Sequence, residues 1–173
     1  MIKIWHFIYY SIYRLDYKLH LFTNKINPIL YIYKIDKVKN YFNKKGKSPV
    51  KDFNKSYENR DYGFSILLSQ IIIHSLLFAL LVGIFNLSLI IFNIFIDLKP
   101  FMFMAILVVS ISLNLLILIR NKDYKKSFLE FDNYKKERKA IYFLLSFVAV
   151  ISIFMLSYLS FVYGSKHHSL NIL

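Results

Sequence analysis

The chain has 173 residues, of which 57% are hydrophobic and 18% aromatic, and its mean hydropathy of +0.44 is too high for an ordinary soluble domain. The 23 Lys+Arg against 10 Asp+Glu leave a net charge of +13, so apolar and charged segments must be segregated along the chain. There is no cysteine, which excludes disulfides, thiolate metal sites and Cys nucleophiles.

A basic excess of this size points to nucleic acid, to anionic lipid, or to the topology signal of a membrane protein. The apolar runs favour the last. Residues 1–62 form a basic, aromatic segment. Its first part, residues 2–26, reads as an amphipathic helix. At 100° per residue Ile4, Ile8, Ile12, Leu15, Leu19 and Phe22 share one stripe, with Lys3, Arg14, Lys18 and Lys25 on the other side. Tyr9, Tyr10, Tyr13 and Tyr17 flank the stripe and Trp5 borders it, while Phe7 and Leu21 interrupt the polar face. Arg14, Asp16 and Lys18 break the apolar run, which argues against a cleavable signal peptide. Lys3, Arg14, Lys18 and Lys25 are the candidate membrane-surface residues, directed at a bilayer with anionic lipids. Such a helix can lie in the interface, pack on the protein's own spans, or do both.

Asn27-Pro28 predicts a break, because the residue before proline avoids the helical region. A shorter amphipathic piece over Ile29–Phe42 follows, and residues 43–62 read as a solvated connector rich in Lys, Asn and Asp. Basic residues interleaved with aromatics can bind single strands, but no folded platform is evident and nucleic acid is not an expected partner.

The fold class expected is an all-α integral membrane protein with three transmembrane helices, a long hairpin plus a third span, within residues 63–163. The spans fall at about 64–96, 100–119 and 140–163. Phe64–Ile96 and Phe101–Ile119 contain no Asp, Glu, Lys or Arg, and about 20 apolar residues cross the hydrocarbon. At 1.5 Å per residue the first run makes a helix of about 50 Å, which implies tilt or extension past an interface. Pro100 suits the first turn of the returning helix. Gln70, His74, Asn86, Asn93 and Asn114 are the candidate interhelical polar contacts, and Gln70 and His74, four apart, share a face. Intramembrane polar groups also mark ion or proton sites.

Arg120 and Lys122 stop the second span, and a charged loop over 120–139 is expected to form a helix feeding directly into the third. Its Tyr124, Phe128, Phe131 and Tyr134 fall at helical spacing. Gly164 is expected to end the last span, leaving residues 164–173 as an external tail in which His167-His168 is a weak metal signal. Residues 1–62 carry 13 Lys+Arg and residues 120–139 carry eight, so 21 of 23 lie on one side if both segments are cytoplasmic. By the positive-inside rule this places the N-terminus in the cytoplasm and the C-terminus outside, in a cell inner membrane.

No Walker A, G-x-G-x-x-G, H-E-x-x-H or G-x-S-x-G sequence occurs. The expectation is therefore a protein that is not an enzyme, with no cofactor, no metal and no small-molecule substrate. The segments Phe7-Ile8-Tyr9-Tyr10-Ser11-Ile12-Tyr13-Arg14 and Asn133-Tyr134-Lys135-Lys136-Glu137-Arg138-Lys139, the latter running into Ile141–Phe147, resemble small uncharacterised three-span membrane proteins of Bacteroidetes. The likeness covers both ends and the layout, and the long connector over Lys37–Asp61 departs from it. It implies a bacterial multi-pass protein and no particular reaction. The function expected is helix–helix interaction with a membrane partner, as an accessory subunit or an immunity-type protein; the alternative is an oligomeric channel or holin-like permeabilising protein.

Overall fold

The computed structural model describes residues 2–33, 35–94, 99–119 and 123–170, with the backbone alone for residues 29, 119, 123 and 165–170. Among these residues it contains eight helices and no strand. In chain order they are α1 (Ile2–Ile26), α2 (Pro28–Ile32), α3 (Asp36–Lys44), α4 (Pro49–Glu58), α5 (Phe64–Ile91), α6 (Pro100–Ile119), α7 (Asp123–Asp132) and α8 (Lys136–Leu170). Three are long and apolar enough to cross a membrane: Phe64–Ile91, Pro100–Leu118 and Lys136–Gly164. The fold is all-α with three candidate spans.

The helix ends have local causes. α1 stops at Ile26 because Pro28 restrains Asn27, and the Asn27 carbonyl then accepts from the Leu30 N–H at 3.1 Å. The piece expected over Ile29–Phe42 is two helices, with Ile35 extended at φ −64°, ψ 128° before α3. α3 closes on Gly46, whose φ of +64° lets its N–H reach Asn43 O and the Lys47 N–H reach Phe42 O, both at 3.0 Å. The stretch 43–62 expected as a connector contains α4, opened by Pro49 at the first helical position. Asn59 Oδ1 then accepts from the Asp61 and Tyr62 N–H groups at 2.7 and 3.2 Å. Gly63 follows so tightly that a Cβ there would collide with the Asn59 carbonyl oxygen.

α5 ends at Ile91, five residues before the expected limit of the first span. Asn93, at φ +53°, takes the left-handed position that closes the helix, with Asn93 N–H on Ile90 O and Ile94 N–H on Leu89 O. Residues 95–98, and with them the expected end at Ile96 and Asp97-Leu98, lie outside the described residues, as do Arg120 and Lys122. The charged segment does not feed unbroken into the last span. α7 stops at Asp132, and Lys139 Nζ returns to the Asp132 carbonyl at 3.0 Å as α8 starts. Gly164 does not end α8, which continues to Leu170. One glycine within a long helix costs only about 1 kcal/mol. The His167 and His168 side chains, and residues 171–173 of the expected external tail, lie outside what is described.

The chain divides into two compact units, with boundaries inside α1 and α5. The first comprises Met1–Ile8 and Ile72–Leu173. In it α5 meets α6 through hydrogen bonds described below, and meets α8 where Gly83 lies against Ser157. A Cβ on Gly83 would stand 3.2 Å from Ser157 Cα, N and Oγ, so the absent side chain lets the two backbones approach. Phe128 and Phe131 of α7 are fully buried, and Phe7 meets Phe131 edge-on at 4.9 Å and Tyr142 at 5.2 Å. The second unit, Tyr9–Ile71, packs α4 on α1. Tyr13 is fully buried there, and its hydroxyl donates to Glu58 O at 2.6 Å.

Candidate functional site

In the first unit a seam of polar side chains tethers the helices, and α5 supplies its acceptors through backbone carbonyls. Asn114 Nδ2 donates to Ile73 O at 3.2 Å, Ser110 Oγ to His74 O at 3.2 Å, and Ser157 Oγ to Ala79 O at 2.7 Å. A helical carbonyl has a second lone pair, so α6 and α8 can bind α5 without opening its own ladder. Asn114 is fully buried and works at both ends, because its Oδ1 accepts from the Trp5 indole Nε1 at 3.0 Å. His6 lies next to it, with Nδ1 2.9 Å from Ser127 Oγ and Nε2 3.3 Å from Ile117 O. A neutral imidazole with its proton on Nε2 satisfies both, donating to the carbonyl and accepting from the hydroxyl.

Lys3 Nζ continues the row with an ion pair to Glu130 Oε1 at 2.7 Å. The Tyr134 hydroxyl donates to the same oxygen at 2.7 Å. The hydrogen bond from Lys3, and then the one from Tyr134, hold the Glu130 carboxyl below its usual range. The bond to Glu130 and then the contact with Tyr134 hold the Lys3 ammonium above its own. The first turns of α1 are thus fastened to α6 and α7 by an indole, an imidazole and an ammonium.

In the second unit the buried His20 ring stacks on Tyr57 at 3.6 Å and 5°, with Phe53 at 5.2 Å. Its Nε2 lies 2.9 Å from Asn24 Nδ2 and 3.1 Å from Asn54 Oδ1, and Asn24 Nδ2 donates to Asn54 Oδ1 at 2.7 Å. Arg60 sits 5.9 Å from the Tyr13 ring centre. Burial pushes the Tyr13 phenol up, against the opposing pull of that guanidinium.

The residues singled out in the sequence separate into several roles. Asn114 joins helices. His74 contributes its carbonyl, while its Nδ1 is buried with no hydrogen-bond partner, as are Asn86 Oδ1 and Ser146 Oγ. Gln70 is half-buried in the second unit. Asn93 is exposed and caps α5 instead of joining helices. Lys3 is held by Glu130, whereas Lys18 and Lys25 are exposed and Arg14 lies 5.9 Å from the Tyr10 ring centre. Trp5, His6, Ser127 and Ser157 join the seam, and His20, Asn24 and Asn54 form the second cluster; none of these stood out in the sequence as a contact. The i,i+4 pair His20/Asn24 and the aromatic pair Phe53/Tyr57 were the available signals.

Among the described residues no group of three or more His, Cys, Asp or Glu is placed to hold a metal ion. No protein-family model, no curated protein and no solved structure matches the chain. What the fold defines is a small membrane-embedded protein of three apolar helices.

Proposed function

We propose that this chain is a multi-pass protein of a bacterial inner membrane that acts through helix–helix contact with another membrane protein, as an accessory subunit or an immunity-type protein. One observation carries the reading: the uneven cover of the three spans. The most apolar window of α5 is 39% buried, against 17% for α6 and 11% for α8. α6 and α8 each spend one narrow polar or small-residue side on α5 and leave the rest of their apolar surface for lipid or for other helices. Two serine hydroxyls on those outer sides are already satisfied, Ser112 Oγ on Val108 O and Ser152 Oγ on Val148 O, both at 2.8 Å. An incoming helix would therefore meet a mainly apolar surface, in which the exposed Tyr158 and Tyr163 of α8 offer phenol groups. Photo-crosslinkers at Val108 on α6 and Phe154 on α8, both exposed, test this in native membranes. A discrete adduct with a different protein is expected. Adducts with lipid alone at both positions overturn the reading.

Asn86 Oδ1, Ser146 Oγ and His74 Nδ1, buried without partners, favour a second reading, an oligomeric channel or holin-like protein with a hydrated seam. That reading requires adducts at multiples of the 20.7 kDa chain, and ion flux lost in H74L and N86L variants of normal yield.

A further inference from the structure

In the second unit, α1 is covered on one side only. Tyr13, His20 and Asn24 face α4, whereas Leu15, Leu19, Phe22 and Ile26 are 58–70% exposed. These four fall within one arc of roughly 60° at 100° per residue. Lys18 and Lys25 run along one edge of the arc, with Arg14 beyond them, and the half-buried Asp16 lies on the other edge. The stripe is shorter than the sequence suggested, because Ile8 is buried and Ile4 and Ile12 are half-buried. Lys3 is likewise engaged by Glu130.

The same unit holds the first two turns of α5, Phe64 to Ile71, which begin a helix long enough to span a bilayer. Tyr57 of α4 meets Phe64 at 5.1 Å between ring centres. A unit from which a span departs is held at the bilayer surface by the chain itself. An uncovered apolar stripe with cations along its edge is the composition of a helix lying in the interface.

We infer that the half of α1 from Leu15 to Ile26 lies in the membrane plane on anionic lipid. Leu15, Leu19, Phe22 and Ile26 rest among acyl chains, and Lys18 and Lys25 meet lipid phosphates. Charge complementarity selects this occupant. A second copy of the stripe would bring more cations to the same apolar seam, whereas phosphates neutralise them. The inference rests on reading α5 as a span.

The chain has no cysteine, so single cysteines can carry an environment-sensitive fluorophore without background. The full chain would be labelled at Leu19, Phe22, the exposed Lys51 of α4, or Val108. It would then be placed in bilayer discs of phosphatidylcholine alone or of phosphatidylcholine with phosphatidylglycerol. At Leu19 and Phe22, blue-shifted emission and quenching by acyl-chain nitroxide lipid are expected, stronger with phosphatidylglycerol, while Lys51 stays open to aqueous iodide. A K18E/K25E variant should lose the phosphatidylglycerol preference, and added salt should reduce it in the parent chain. Iodide quenching at Leu19 and Phe22 in both lipids overturns the inference. So does shielding at Leu19 and Phe22 that vanishes in discs holding one chain each, which would mean a second copy. Equal nitroxide quenching in the two lipids overturns the anionic preference. The Val108 label separates the failures: if it too escapes the nitroxide lipid, the span reading has failed, and if it alone is quenched, only the surface helix has.

Discussion

The Trp5 indole donates to the Asn114 amide oxygen at 3.0 Å, joining residues 109 positions apart. Because Asn114 also donates to Ile73 O, one side chain couples the start of α1, the middle of α6 and the backbone of α5. Interhelical bonds of this kind contribute about 0.6 kcal/mol each on average. Replacing Asn114 by Leu removes both and strands the indole N–H, so a loss of about 1–2 kcal/mol is expected. Trp5 is the chain's single tryptophan, so its emission reports the change directly. Thermal unfolding in detergent of N114L, W5F and the double variant, followed by far-UV circular dichroism because W5F has no tryptophan, should show coupling between the two positions; strict additivity would mean that the bond does not form.

Gly83 and Ser157 set the spacing of α5 and α8. A Cβ at Gly83 meets backbone atoms of Ser157 at 3.2 Å, so α8 must give by a few tenths of an ångström to admit it. A Val at that position cannot be accommodated so simply, and its bulk would lengthen the Ser157 to Ala79 bond. G83A should be mild and G83V costly by about 1–3 kcal/mol. Equal melting temperatures for the two variants would show that the close approach does not matter.

The spans were legible because their signal is length and composition, which needs no partner. The start at Phe64 and the second span at Pro100–Ile119 fall as expected, but the end of the first span and both ends of the last helix do not. The run to Ile96 carries no charge, but Asn93 adopts the left-handed conformation and closes α5 at Ile91. α4 was obscured by its Lys and Asn content, although Pro49 at its first turn and Phe53/Tyr57 one turn apart were present. Hydropathy could not reveal the seam. Trp5 and His6 have partners more than 100 residues away, and four of the seam's acceptors are main-chain carbonyls, of Ile73, His74, Ala79 and Ile117. The amphipathic stripe of α1 was visible as a pattern, but a pattern does not say which half is covered.

The Lys3–Glu130 pair makes stability depend on pH at both extremes. The Glu130 carboxyl is depressed, so its contribution is present above the unfolded value of about 4.3 and is lost as pH falls through the folded one. The Lys3 ammonium is raised, so its contribution is present below about 10.4 and is lost as pH rises through its folded value. Both side chains are nearly half exposed, which limits the pair to about 0.2–1 kcal/mol. E130Q should flatten both limbs of the stability profile and leave the neutral region lower by that amount. An unchanged acid limb would assign the loss to other carboxylates.

Charge asymmetry predicts the topology. A reporter fused at Tyr134 should read cytoplasmic, and one fused at Leu173, beyond the described residues, should read external. Exchanging Lys135, Lys136, Arg138 and Lys139 for Gln should weaken the cytoplasmic signal at Tyr134. A cytoplasmic reading at Leu173 in the parent chain would overturn the three-crossing arrangement with the N-terminus inside.

His20 holds α4 to α1 by two separable means, a face-to-face stack on Tyr57 and polar contacts with Asn24 and Asn54. H20F keeps an aromatic face for Tyr57 and abandons the polar contacts, whereas H20A loses both. Aromatic pairs contribute about 0.5–1.5 kcal/mol beyond their burial, and a hydrogen bond typically adds about 0.5–1.5 kcal/mol. H20F should therefore lie between the parent and H20A. α4 has no buried residue of its own, so its hold depends on these few contacts. Lys51 and Lys55 are already exposed, so releasing α4 should act by unwinding the backbone around them, and limited trypsinolysis reads that directly. Cleavage at those two lysines should rise severalfold in H20A and less in H20F, with cutting at Lys44 and Lys45, outside α4, little changed. If all sites accelerate together, the histidine supports the whole unit instead of the single helix, and if none does, Phe53 and Tyr57 hold α4 without it.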